Sequence, residues 1–137
     1  MAPVVSPRLV AAVVVLRDDG AALLQHRDEK PGLSHAGMWV IPGGHCEPVE
    51  TVERCARREL LEETGYDCEA PRFLMSVARN DVDEHLVVYW TRYDGVQPVH
   101  CGEGQAVEFV DYARRSAYAI PPILVDAWER ALAAASH

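Results

Sequence analysis

The chain has 137 residues, 49% hydrophobic and 25% charged, with a formal net charge of −8. That length and composition suit one domain around one core. The acidity excludes broad attraction to nucleic acid polymers or anionic membranes, which demands clustered Lys and Arg, but it admits a small anionic ligand bound through a divalent cation.

Taken in chain order, Leu9 to Arg17 is rich in β-branched residues and is predicted to be a buried strand. Its apolar run LVAAVVVL is too short to cross a bilayer, which needs about 20 residues. Arg8 precedes the run, but the Arg-Asp-Asp-Gly that follows marks a strand entering a turn, not a signal peptide. Asp18-Asp19-Gly20 is the turn, and Ala21 to Arg27 is the return strand. Asp28 to Gly37, with Pro31, Gly32 and Gly37, reads as a loop. Met38 to Ile41 is a short strand stopped by Pro42-Gly43-Gly44.

Thr51 to Thr64 is the clearest helix, with Thr51 as N-cap and Gly65 where a left-handed C-cap belongs. Arg72 to Arg79 and His85 to Tyr93 are two strands joined by Asn80-Asp81-Val82-Asp83-Glu84. Ala106 to Val110 is another strand. Pro121 to Ala134 is a C-terminal helix with Pro in its first turn. This order predicts a mixed sheet covered by helices, an α/β sandwich forming one domain over residues 1–137. Cys46, Cys55, Cys68 and Cys101 show no CxxC spacing, and no ligand spacing supports zinc among the six histidines. Free thiols in a cytoplasmic protein are expected.

The helix carries the chemistry. Glu59, Glu62 and Glu63 stand at i, i+3 and i+4 and share one face. Like charges at this spacing repel, and near a helix C-terminus the macrodipole disfavours them further. The arrangement makes sense if a cation sits between them, and hard carboxylate oxygens suit Mg²⁺ or Mn²⁺. Val52, Ala56 and Leu60 form the neighbouring apolar stripe. Arg58 lies beside Glu62 and can hold a carboxylate. Leu61 points the other way with Arg54 and Arg57, exposed or part of a contact surface; with the apolar C-terminal segment it leaves room for a homodimer. The competing reading is a solvated charged face with ion pairs such as Glu53 to Arg57.

The segment around the helix resembles the signature of the Nudix hydrolase family. Gly44 is followed by five residues to Glu50, then seven to Arg58, and Glu59, Leu60, Leu61, Glu62, Glu63, Thr64, Gly65 and Tyr66 complete it. Every fixed position is filled; Tyr66 stands where Leu, Ile or Val is commoner. The Pro42-Gly43 turn, the Glu47-Pro48 pair and the order of elements extend the resemblance over nearly the whole chain. It implies an α/β/α sandwich with a mixed central sheet, and Mg²⁺- or Mn²⁺-dependent hydrolysis of a nucleoside diphosphate linked to another group, either a nucleoside triphosphate or a nucleoside diphosphate derivative. It implies metal ligation by Glu59, Glu62, Glu63 and the Gly43 carbonyl, orientation of those carboxylates by Glu50 and Arg58, and catalysis carried by Glu59, Arg58 and Glu62. The general base is Glu59 in some relatives and comes from a loop outside the signature in others. Here Glu103 is the candidate for an added ligand or base, with Asp83, Glu84 and Glu108 behind it.

Specificity is expected from the loops and strand ends around the helix. Arg27 is a candidate phosphate contact and Trp39 a candidate stacking surface; Asn80, Asp81 and His85 are placed to read a base or sugar. Of Tyr89 and Trp90, one should face the core. His35, His45 and His100 are expected in solvent. Val40 follows Trp39 where enzymes acting on oxidised guanine nucleotides often carry an acid, which weighs against that substrate; the resemblance leaves the substrate open among nucleoside triphosphates, ADP-ribose, dinucleoside polyphosphates, nucleotide sugars and isoprenoid diphosphates. A non-catalytic nucleotide-binding or sensor module with the same fold is the alternative.

Overall fold

The computed structural model describes residues 7–137. Its elements are β1 (Arg8–Leu16), β2 (Ala22–His26), β3 (Trp39–Val40), β4 (Gly43–His45), α1 (Val52–Thr64), β5 (Arg72–Arg79), β6 (Glu84–Arg92), β7 (Ala106–Val110), a 3₁₀ helix (Tyr112–Ala117) and α2 (Pro122–Ala135). The strands form one seven-stranded sheet, in which β1 pairs parallel to β6 and every other pairing is antiparallel.

β1 organises both layers. A strand covered on both faces reads as a continuous apolar run, and its alternating side chains serve two cores. Ala11, Val13 and Val15 pack with Cys55, Ala56 and Leu60 of α1. Ala12, Val14 and Leu16 belong to the core that holds Leu124, Ala127, Trp128 and Ala131 of α2. The helices therefore lie on opposite faces of the sheet, as the α/β sandwich requires. Trp128, fully buried, donates its indole N–H to the Gly20 carbonyl at 3.0 Å and ties α2 to the β1–β2 turn.

α1 is capped as its sequence predicts. The Thr51 hydroxyl accepts from the Arg54 amide at 3.2 Å, and Gly65 closes the helix with φ 74° while donating to Leu61 O at 2.9 Å. Tyr66 is buried against Tyr93, and its hydroxyl accepts from the Asp94 amide. Trp90 faces the α2 core, and Tyr89 packs on the α1 side. Among the described residues no helix is long and apolar enough to cross a membrane.

The structure corrects the reading of Pro42-Gly43-Gly44 as a plain stop. Gly43 and Gly44 begin a strand that pairs with Ala12 and Ala11 of β1. A side chain at Gly43 would lie 2.3 Å from the Ala11 carbonyl, so this close approach depends on glycine. The 3₁₀ helix carries no apolar periodicity and was not expected.

β1 and β2 pair only at Leu16 and Ala22, then diverge. β4 lines β1 and β3 lines β2 on the inner edges of the resulting fork. Leu60 pins α1 beneath it and is fully buried. Leu60→Ala is expected to cost about 2–5 kcal/mol, because the cavity lies between a helix and a strand that cannot both relax; urea unfolding monitored by circular dichroism measures it.

Candidate active site

A cleft of about 440 Å³ opens in the fork. At one end it is lined by Gly43, Gly44, Glu59, Glu62, Glu63, Glu103 and Arg27. Three faces of the protein meet there: the C-terminal half of α1, the β4 backbone, and the loop before β7.

Glu63 lies deepest, at 2% exposure, and its Oε1 accepts from the Gly43 amide at 3.0 Å. Burial pushes its pKa from 4.5 up to about 8, the charges of Glu59 and Glu103 add to the rise, and the Gly43 amide and Arg27 oppose it. Glu59 is also raised, by burial first and against the pull of Arg58. Gly44 makes room for it: a side chain there would lie 2.6 Å from Glu59 Oε2.

Arg58 is the counterweight. It grips Glu50 with two nitrogens, Nη2 to Oε1 at 2.6 Å and Nε to Oε2 at 3.0 Å. The same guanidinium reaches Glu59 Oε1 at 2.9 Å, Glu62 Oε2 at 3.3 Å and the His45 carbonyl at 3.3 Å. Paired forks of this kind are strong and directional. The pairing holds the Glu50 carboxyl down at about 2 and raises Arg58 itself. Glu50 and Arg58 stand behind the cleft rather than in its lining, as positioning groups would. The Glu53–Arg57 pair does not form; Arg57 reaches Asp67 instead, at 3.8 Å.

Glu103 arrives from the far end of the sequence. Its loop is bound to α1 through His100 N to Thr64 O and Gly102 N to Glu63 O, both at 2.9 Å. It is bound to β2 through the buried Gln25, whose side-chain amide donates to Glu103 O at 2.9 Å. Arg27 lies across from the carboxylates, and its buried Nε has no hydrogen-bond partner among the described residues. An orphaned buried donor costs about 1–3 kcal/mol unless something supplies an acceptor.

Other expected residues lie elsewhere. Trp39 is half-buried and occupied by packing: its ring stacks on His26 at 4.6 Å and meets Tyr118 edge-on. Asn80 and His85 do not line the cleft; their neighbours Arg79 and Glu84 do. Strand alternation turns His85 to the opposite face from Glu84. His35, expected in solvent, is half-buried at the cleft, within 3.5 Å of Arg79. His45 is exposed but bonded to Glu84 at 2.9 Å. Glu84 is a weaker sequence candidate for a ligand or base, and nothing in the sequence marks Arg79; strand register puts both on the cleft side, while His35 comes from the loop before β3.

The residues present fit a hard divalent ion by their chemistry, with several carboxylates and one of them buried against its charge preference. Among the described residues, however, no three acidic, His or Cys side chains converge as they stand. Glu59 and Glu62 lean on Arg58 instead, and Glu62 is about half exposed and free to swing.

A profile of the NUDIX domain matches residues 6–124. The chain belongs to the NUDIX family. It is 41% identical over 51 residues to the nucleoside triphosphatase NudI of Escherichia coli, covering 37% of this chain and 36% of that one. It is 36% identical over 70 residues to the NAD-capped RNA hydrolase NudC of Stutzerimonas stutzeri, covering 51% and 24%. The matched segments span only 18% to 36% of the curated relatives. A MutT NUDIX hydrolase from Burkholderia pseudomallei shares the fold at 26% identity with TM-score 0.77, covering 92% of this chain and 98% of that one. Within this NUDIX domain, then, the signature helix and the cleft coincide.

The raised Glu63 pKa carries a stability consequence in the metal-free protein. The folded state holds a proton that the unfolded chain releases near pH 4.5, so this contribution is full below that pH and is lost as pH rises through about 8. In chelator, Glu63→Gln is expected to stabilise the protein at pH 8, on the order of a few kcal/mol, and to change little at pH 4. Thermal unfolding at the two pH values reads the difference.

Proposed function

We propose that the chain hydrolyses the diphosphate linkage of a nucleoside triphosphate or of another nucleoside diphosphate derivative, with Mg²⁺ or Mn²⁺ as cofactor. The observation that carries this reading is Glu63: a carboxylate buried beside two others, in a cleft open to a ligand. Such a site is costly for the empty protein and favourable once a divalent cation enters. Relatives named for nucleotide substrates support the nucleotide part of the reading.

Glu59, Glu62 and Glu63, with the Gly43 carbonyl, would hold the ion. Bound there, it supplies charge neutralisation on the diphosphate oxygens and lowers the pKa of water. The chain's own residues do the rest. Arg58, braced by Glu50, compensates the charges of Glu59 and Glu62, and Glu62, the more exposed of the two, turns to the ion on binding. Arg27 offers its free Nε to a phosphate oxygen, as an orphaned donor in this position should. Two carboxylates are placed to take the proton of the attacking water. Glu59 has one oxygen committed to Arg58, whereas the Glu103 carboxylate has no side-chain partner among the described residues. Glu103 is therefore the better placed base, and Glu59 serves chiefly as a ligand.

Incubation with Mg²⁺ and a panel of nucleoside triphosphates, ADP-ribose, dinucleoside polyphosphates and nucleotide sugars tests the reading by product identification. Turnover of at least one member is expected. Glu62→Gln and Glu63→Gln should each lower kcat at least about a hundredfold while the fold is kept. Ligand-induced thermal stabilisation with no turnover across the panel would instead identify a binding module.

A further inference from the structure

The far end of the cleft differs from the carboxylate end, and its residues have no place in the hydrolysis just described. Arg79, the last residue of β5, and Glu84, the first of β6, are cross-strand partners that both line it. They form no ion pair with each other. Glu84 is held from behind: its Oε2 accepts from Arg8 Nη2 at 3.2 Å and lies 2.9 Å from His45 Nε2. Its Oε1 has no partner among the described residues. Arg79 has no carboxylate partner among them either; Nη1 lies 3.5 Å from the His35 ring. A guanidinium and a carboxylate thus stand side by side in one cleft, each with hydrogen-bonding capacity unspent.

The register places this pair at a nucleoside's distance from the cutting site. Glu84 lies opposite Arg8 of β1, and Gly43 lies opposite Ala12. Four residues of strand separate the two levels, roughly 13 Å at the usual rise. That is too far for both ends to grip one diphosphate. Val10 and Leu86, paired with each other between the two levels, and Ile123 and Leu124 of α2 add apolar lining to the cleft, suited to the face of a flat ring.

We propose that Arg79 and Glu84 read the nucleobase, and that they favour a guanine-type edge. This rests on the hydrolase reading for the placement of the diphosphate. A guanidinium offers donors only and an ionised carboxylate accepts only. Guanine sets a carbonyl acceptor beside two adjoining N–H donors, so O6 faces Arg79 while N1–H and N2–H₂ face the free oxygen of Glu84. Adenine has no carbonyl to meet the guanidinium. His45 and Arg8 act as positioning residues that turn Glu84 toward the ligand.

The test compares kcat/KM for GTP, ITP, ATP and CTP with Mg²⁺, together with equilibrium binding of GMP and AMP by titration calorimetry. Guanine is expected to lead adenine by about tenfold or more, the discrimination of one good side-chain–base pairing. Arg79→Ala should reduce the GTP to ATP ratio toward one. Glu84→Gln keeps the shape but places a donor where an acceptor stood, and should remove the advantage of GTP over ITP. Both variants should keep the wild-type melting temperature and Mg²⁺ dependence. Equal rates with all four bases, or ratios unchanged in both variants, would overturn the base-reading pair while leaving the hydrolase intact. No turnover of any triphosphate, with GMP still bound more tightly than AMP, would overturn triphosphate hydrolysis and leave the pair standing. Equal binding of GMP and AMP would overturn the pair whether or not turnover occurs.

Discussion

A carboxylate buried on a backbone amide is the constraint around which this molecule is arranged. Glu63 accepts from Gly43 N and is almost wholly out of solvent. Its charge has no direct counter-ion among the described residues; Arg27 helps from across the cleft, and Glu59 and Glu103 work against it. An arrangement that raises a carboxyl pKa to about 8 is a poor choice for stability alone. It is a good choice for a site that gains its favourable partner with the ligand, and functional sites are where such compromises concentrate.

The surrounding structure serves to hold that compromise open. Arg58 absorbs the repulsion that would otherwise splay Glu59 and Glu62, and Glu50 absorbs the surplus charge of Arg58. Behind them, α1 is fastened to β1 by small and apolar residues, Cys55, Ala56 and Leu60. In front, β4 presses its glycines against β1, and the Glu103 loop is bonded to both α1 and β2. The fork between β1 and β2 is what leaves space for a ligand among these elements. A fully paired sheet would have closed it.

Charge is distributed along the fork in a way that the net value of −8 conceals. Carboxylates crowd one end, with Arg27 as their local cation. At the other end Arg79 and Glu84 stand together with apolar side chains between the two groups. On the proposed reading, an acidic protein receives an anionic ligand because a cation supplied with it acts at one end and directional hydrogen bonds act at the other.

How much was legible follows from range. The α1 boundaries, its caps, its apolar stripe and its acidic face are matters of spacing within a few residues, so the sequence by itself determined them, and the signature from Gly44 to Tyr66 brought the family with it. The β-branched, unbroken apolar run of β1 likewise marked a buried strand. Which side chains share the cleft depended on pairings between distant segments. Register chose Arg79 and Glu84 over Asn80 and His85, because a shift of one residue along a strand reverses the face. Trp39 went to a stack with His26 because β3 pairs with β2, and Glu103 reached Glu63 because its loop bonds to the end of α1. Local periodicity can specify an element and its faces, but only the tertiary structure, by setting one element against another, decides which faces meet.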